Sequence, residues 1–354
     1  MDNKDLVCNV LTELEKGLDE AYRRVCEMKA SNRIIEDNLI AMYRKIKALE
    51  SDLKGTTSNQ NVSVIGSRKS LQVVETHEGR NAFLCDLSQI WGPNTEAEFL
   101  AEVLYDYEQI SSSIHNVQKS SVLAISVNNN SFDQVNSAID AAQPIVLMLL
   151  SDEFENHQEY ERLFQKVPLV YRQYRYDSYE NPVNQRILPL GYHCWDQHAR
   201  RDTAVKKYIW SFTGTAKNDR LKDLSILDDL KPNFHGETNS EENPDILNSS
   251  IFIYCPVGNY NVETNRSYTA SMCGAIPCIV CTQSQWDSTY PHFDIEPPWL
   301  HASSVEEIKD MMQSLMNDKA KLTALQSEIL KWWTDIKITI RDNIELAIAK
   351  EMKK

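Results

Sequence analysis

Apolar residues recur at alternating spacings of three and four over the first 54 residues, and in short continuous runs after that. With Leu11 at a heptad a position, the a sites are Leu11, Leu18, Val25, Asn32, Leu39, Ile46 and Leu53, and the d sites are Val7, Leu14, Ala21, Met28, Ile35, Met42 and Leu49. All but Asn32 are apolar, and the frame does not slip. A single amphipathic helix laid on a globular core drifts off a 3.5-residue period over such a length, whereas a sustained heptad implies a supercoil with a partner. A buried Asn at one a position fixes register and favours two parallel strands. The pattern predicts a coiled coil over 1–54 that makes the chain a homodimer, followed by a polar linker over 55–61.

From Val62 onward the pattern predicts two alternating α/β halves. The first, 62–200, carries candidate strands at Val62–Ile65, Leu71–Val74, Ala82–Asp86, Val122–Val127, Pro144–Leu150, Leu169–Tyr174 and Ile187–Leu190, with helices over Glu96–Ile110 and Phe132–Ala142. The second, 201–320, reads Tyr208–Phe212 (strand), Asp219–Leu230 (helix), Ile251–Cys255 (strand), Glu263–Cys273 (helix), Ile276–Cys281 (strand) and Val305–Met316 (helix). A helical run over Leu322–Ile348 lies in a C-terminal segment, 321–354. Strands that are apolar without alternation suit a parallel sheet buried on both faces. The expected architecture is two Rossmann-like, doubly wound domains facing a cleft, with ligands past the C-terminal strand ends.

Composition narrows the function. A formal net charge of −14 argues against a nucleic-acid or anionic-membrane binder, since such partners want a basic face. No stretch approaches the roughly 20 apolar residues of a membrane span, and the charged opening Met1-Asp2-Asn3-Lys4-Asp5 lacks a leader pattern. The eight cysteines have no framework spacing, so a reduced, cytoplasmic setting is expected. Cys273, Cys278 and Cys281 sit in strand-like surroundings without the turn that a zinc knuckle needs between its thiolates, and no metal is expected.

The chemistry concentrates between Ile251 and Pro277, which reads strand, glycine-containing loop, helix, then Gly274-Ala-Ile-Pro277 opening another strand. A helix start after such a loop presents backbone N–H groups and partial positive charge to a diphosphate. Arg266 in the first turns adds a bidentate cation, and Glu263 can accept hydrogen bonds from sugar or ribose hydroxyls.

This segment resembles the donor-binding signature of exostosin-like glycosyltransferases: Pro256, Gly258, Arg266, Ala270, Gly274, Ile276 and Pro277 fall on its pattern in order. The Asn261-x-Glu263-Thr264-x-Arg266 variant is most similar to the ribitol xylosyltransferase-like branch. Trp210-Ser-Phe212-Thr-Gly214-Thr215, with Lys217 and Arg220 after it, resembles the family's Trp-x-Phe-x-Gly strand and its basic residues. In the first half, Leu150-Ser-Asp152-Glu153, Val170-Tyr-Arg172-Gln-Tyr174 and Leu188-Pro-Leu-Gly191-Tyr resemble the same branch. The resemblance spans about residues 140–285 and implies a GT-B fold, a nucleotide-sugar donor such as a UDP-sugar, and inverting transfer without a bound metal. One departure stands out: the family's acid three residues after the helix arginine is Thr269 here, and one hydroxyl cannot grip a diol as a carboxylate does.

Inverting transfer needs a base for the acceptor hydroxyl and positive charge on the departing diphosphate. Asp152, with Glu153 second, stands just past a buried strand and is the expected base; both also suit a helix's first turn. Arg172 and Arg175 beside Tyr174, and His193 further on, are expected to line an acceptor site for a glycan or polyol phosphate. Surface ion pairing is the alternative for the arginines, and a loop histidine satisfied by its neighbours for His193. A non-catalytic scaffold on the same fold and a polyol-phosphate transferase are the rival functions.

Overall fold

The computed structural model describes residues 81–85, 97–127, 130–151, 158–175, 183–192, 206–216, 219–239, 242–258 and 261–354. The expected coiled coil over 1–54, the linker over 55–61 and the strands expected at Val62–Ile65 and Leu71–Val74 lie outside the described residues.

The first domain runs β1 (Asn81–Cys85), α1 (Ala97–Val103), β2 (Glu108–Ser112), β3 (Val122–Ser126), α2 (Phe132–Ala142), β4 (Val146–Leu150), α3 (Glu161–Phe164), β5 (Leu169–Arg172) and β6 (Gln185–Ile187). The strands form one sheet in the order β2-β1-β3-β4-β5-β6, and every pairing is parallel. All five residues of both β3 and β4 are buried, as continuous apolar runs require when a sheet is covered on both faces. Phe83, Leu123, Ile125, Leu147, Leu149 and Val170 point to one face, closed by α2 and α3. Ala82, Val122, Ala124, Met148 and Tyr171 point to the other, which is continuous with the core of the second domain. Helix α2 starts where the sequence places it, because Ser131 and Gln134 form a reciprocal capping box of 3.3 and 2.8 Å.

The second domain runs β7 (Tyr208–Thr213), α4 (Asp219–Leu227), β8 (Asn233–Gly236), α5 (Glu242–Asn248), β9 (Ser250–Cys255), α6 (Asn265–Met272), β10 (Ile276–Val280), α7 (Gln283–Asp287), β11 (Leu300–Ala302) and α8 (Val305–Asn317). Its parallel sheet has the order β11-β10-β9-β7-β8. The chain closes with α9 (Lys319–Glu351), a helix of 33 residues. Ile329, Trp332, Trp333, Ile336, Ile340, Ile344 and Ile348 form its buried stripe, spaced as one helical face must be.

Helix α9 begins on the second domain and ends against the first. Trp333 lies 6.1 Å from the Tyr268 ring of α6 and stacks at 5.6 Å on Phe99 of α1. Further along, Arg341 donates to the carbonyls of Val103 (3.0 Å) and Glu102 (2.8 Å), satisfying the exposed end of α1. A loop of the second domain also reaches the first sheet: Phe293, between α7 and β11, makes an isolated parallel bridge to Ile187 of β6. Beside it the Asp294 carboxylate accepts from Tyr171, Asn343 and Arg186 at 2.9, 3.1 and 2.8 Å. Two Rossmann-like domains tied by a returning C-terminal helix form the GT-B architecture expected from the sequence.

One expected helix is two elements. The run Glu96–Ile110 contains α1 and then β2, divided by a turn at 104–107. The Gln109 amide donates to the Leu104 carbonyl at 2.9 Å and helps end the helix, while parallel pairing with β1 recruits the following residues as an edge strand.

Candidate functional site

The order of the second sheet places a crevice. From β7 the chain moves outward to β8, then returns to lie on the other side of β7 as β9. The C-terminal ends of β7 and β9 therefore diverge into loops that leave opposite faces of the sheet, the usual position of a ligand in such a fold.

Gly214 ends β7 with φ +135°, a backbone that L side chains rarely adopt. A Cβ there would lie 2.6 Å from Nη2 of Arg266, so glycine leaves the room that this guanidinium occupies. Arg266, in the first turn of α6, donates through Nε to the Thr213 carbonyl at 2.9 Å and lies 5.1 Å over the Phe212 ring. Arg220 ties the two loops together, donating to the carbonyls of Thr215 (3.3 Å) and Val257 (3.0 Å). The Thr215 hydroxyl donates to Glu237 at 2.7 Å. Pro256 is buried at the end of β9; Gly258 N–H donates to the Asn261 carbonyl (2.8 Å), and Asn261 Oδ1 accepts from Glu263 N–H (3.0 Å). Lys217 lies outside the described residues.

Thr264 is the N-cap of α6 and makes no side-chain cap; its buried hydroxyl has no partner among the described residues. The first turn also lacks an acidic residue, so its N–H groups and the Arg266 charge are not offset by a carboxylate of that turn. This corner of the molecule suits an anion.

Glu263 differs from its expected role. It is 3% exposed, and its Oε1 accepts from the Leu190 N–H of the first domain (3.0 Å) and from the Tyr268 hydroxyl. Burial pushes its carboxyl up to about 7, against the opposing pull of those two hydrogen bonds. The neighbouring Asn265 amide donates to the Gly191 carbonyl at 3.0 Å, so two side chains at the start of α6 hold one turn of the first domain. Gly191 has φ +74°, and a Cβ on it would meet the Phe99 ring at 2.5 Å. Thr269 is 1% exposed and its hydroxyl donates back to the Asn265 carbonyl at 3.2 Å within the helix.

Of the acceptor-side candidates, Asp152, Glu153 and His193 lie outside the described residues. Arg172 was expected to meet an acceptor phosphate but is 2% exposed. It shares the parity of Val170, so it points behind the sheet, 3.7 Å from Glu161 and 5.8 Å over the Phe164 ring. Arg175 donates to the Ser288 carbonyl of the second domain at 2.9 Å. Tyr174 is buried with φ +57° at the end of β5, and next to it Ser151 ends β4 with φ +69°. Gln173, 1% exposed, fixes that second turn by accepting from Ser151 N–H at 2.8 Å. Gln173, Ser151 and Asn265 were not anticipated; their backbone-directed roles leave no periodicity in the sequence. An open groove of about 530 Å³ lies further along the second sheet's edge, with Cys281, His301, Glu307 and Asp310 among its lining.

No protein-family model matches the sequence, and no curated protein does. Solved structures resemble its backbone arrangement. Anabaena HepE, in complex with UDP and glucose, matches with a TM-score of 0.45 at 9% identity, over 77% of this chain and 100% of that one. An alpha-glucosyltransferase in complex with UDP-glucose and DNA containing an abasic site matches with 0.42 at 10%, over 71% and 94%. The glycosyltransferase SnogD from Streptomyces nogalater matches with 0.38 at 10%, over 76% and 100%. No residue role is carried across at such identities.

Proposed function

We propose that this chain is a nucleotide-sugar glycosyltransferase of the exostosin-like kind, taking a UDP-linked donor and transferring its sugar to a hydroxyl of a glycan or polyol phosphate. The observation that carries the reading is the seat of Arg266. An always-charged, two-pronged donor stands at an uncapped helix start, in the crevice of a parallel sheet, with a glycine clearing its place. In the proposed reaction the acceptor oxygen bonds to the anomeric carbon as the carbon–oxygen bond to the diphosphate breaks. The acceptor proton passes to Asp152, or to Glu153, and the anomeric centre inverts. Arg266, the α6 N-terminus and Lys217 take up the charge that develops on the diphosphate, so no metal is required. A homodimer assembled through residues 1–54 and a cytoplasmic setting complete the proposal.

One observation favours the scaffold alternative. With Thr269 turned into its own helix, no carboxylate stands where the family's diol-gripping acid is expected. One experiment separates the two. A ligand bound only to the native state raises the melting midpoint, by about 2.7 kcal/mol of stability at a hundred times its dissociation constant. A UDP-sugar should raise the midpoint in a screen of nucleotide sugars. If none does at millimolar concentration, the chain is a scaffold.

A further inference from the structure

We propose that Glu263 is a positioning residue that latches the nucleotide loop to the first domain, gripping the Leu190–Gly191 turn while protonated and releasing it when ionised. The latch stands on geometry independent of any ligand; only its effect on nucleotide binding rests on the donor site proposed above.

Glu263 Oε1 has two donors, but Oε2 is buried with no partner among the described residues. As an acid, the group keeps its proton on that second oxygen and buries no charge. As a carboxylate, it leaves a charged oxygen in the interior without a donor, an arrangement that proteins avoid. The ionised form gains donors only if water reaches it, and the way in is to part the 261–264 loop from the Leu190–Gly191 turn.

The groups facing Glu263 leave it alone in this pH range. Burial holds the hydroxyls of Tyr268 and Tyr290 well above their ordinary range. Arg266, in the first turn of α6, stays charged and is anchored on the Thr213 carbonyl. From the first domain, Leu190 and Gly191 present backbone, and the Tyr192 hydroxyl is turned to Glu102 at 2.5 Å. The turn is also placed to report its own movement. Gly191 packs on Phe99, Phe99 stacks on Trp333 at 5.6 Å, and Trp333 lies 6.1 Å from Tyr268, which donates to Glu263. These contacts close a ring, with an indole in it.

The test follows tryptophan fluorescence of the ligand-free full chain from pH 5.5 to 8.5. The parent should show a transition with a midpoint near 7, lost in Glu263→Gln and reduced in Trp333→Phe. Tyr268→Phe removes a bond that favours the carboxylate, so it should move the midpoint upward; this arm holds even if Glu263→Gln folds poorly. In parallel, UDP-glucose is titrated at pH 6 and pH 8, where both its phosphates stay ionised. If only the latched form binds, about one molecule in eleven is competent at pH 8, and affinity should fall about tenfold in the parent but not in Glu263→Gln. A transition without any UDP-glucose binding leaves the latch standing and removes the donor site. Binding with no transition, or one unchanged in Glu263→Gln and Tyr268→Phe, overturns the latch and leaves the donor site intact.

Discussion

The two sheets end their strands in the same way and use their arginines in opposite ways. At the edge of the second sheet, a left-handed backbone falls on Gly214, and the space where its side chain would stand holds the Arg266 guanidinium. At the edge of the first, left-handed backbones fall on Ser151 and Tyr174, which carry side chains, and the nearby arginines are engaged elsewhere. Arg172 is paired behind the sheet and Arg175 is fastened to the second domain. A basic residue near a strand end is therefore not enough to make an anion site. Its parity along the strand decides which face it joins, and a glycine decides whether it has room at the crevice.

The largest effect expected from breaking this contrast is at Arg172. Removing it takes the Arg172 guanidinium away from Glu161, whose side chain is 10% exposed. Breaking a buried pair on one side costs about 3–5 kcal/mol. Arg172→Ala should lose stability on that scale in denaturant titration, while any melting shift induced by a nucleotide sugar persists. A loss below about 1 kcal/mol, the scale of an exposed pair, would return Arg172 to the acceptor site.

Arg266→Ala should do the reverse, folding normally but turning over at least about a hundredfold more slowly, the scale of one lost electrostatic partner of a developing charge. Arg266→Lys should recover little, because a point charge cannot make two-point contact with phosphate. Normal turnover by a folded Arg266→Ala protein would move the donor site elsewhere. Gly214→Ala is expected to act on the same site more mildly. Its Cβ meets the far end of a flexible side chain, which can shift away from its seat on Thr213. Affinity for the donor should fall by about tenfold, roughly 1.4 kcal/mol, and calorimetric titration would measure it.

The sequence revealed these two sheets unequally, for physical reasons. Strand β4 and helix α2 were legible because each has a clear apolar pattern, a buried run of five residues in the strand and one buried face in the helix. Strand β8 was not, since an edge strand of sequence Asn-Phe-His-Gly, with no position fully buried, has no apolar pattern to read. Helix α5 carries a proline and no long periodic face, and it too passed unseen. The loop between β9 and α6 was legible as a loop opening a helix because glycine, proline and arginine at fixed spacing record backbone demands directly. Its internal wiring was not. Glu263 looked like a first-turn acid aimed at hydroxyls, but its partners are a backbone amide 73 positions away and a tyrosine of the next turn, contacts that tertiary packing alone creates. At Thr269 burial outweighs side-chain chemistry: a carboxylate restored there would be enclosed at a position 1% exposed.

The smallest effect tests whether the first sheet's strained turns serve a purpose. Gln143 closes α2 with φ +46°, an exposed left-handed position of the kind that glycine normally takes. A non-glycine residue there carries about 1–2 kcal/mol of strain, and glycine returns about 0.5–1 kcal/mol of that through its looser unfolded chain. Gln143→Gly should therefore stabilise the protein by about 0.5–1 kcal/mol without touching function, and it sets the scale for a left-handed residue in this sheet. Ser151 has the same backbone but stands at the end of β4, with its N–H held by the buried Gln173 and with Asp152 next in the chain. Ser151→Gly keeps that hydrogen bond and relieves the same strain, so denaturation midpoints of the two variants should move in the same direction. Turnover is expected to separate them, unchanged in Gln143→Gly and lowered in Ser151→Gly, because a freer backbone no longer aims the residue proposed as base. Equal turnover in both would mean that the strain at Ser151 belongs to the fold alone, and would count against the proposed base at Asp152.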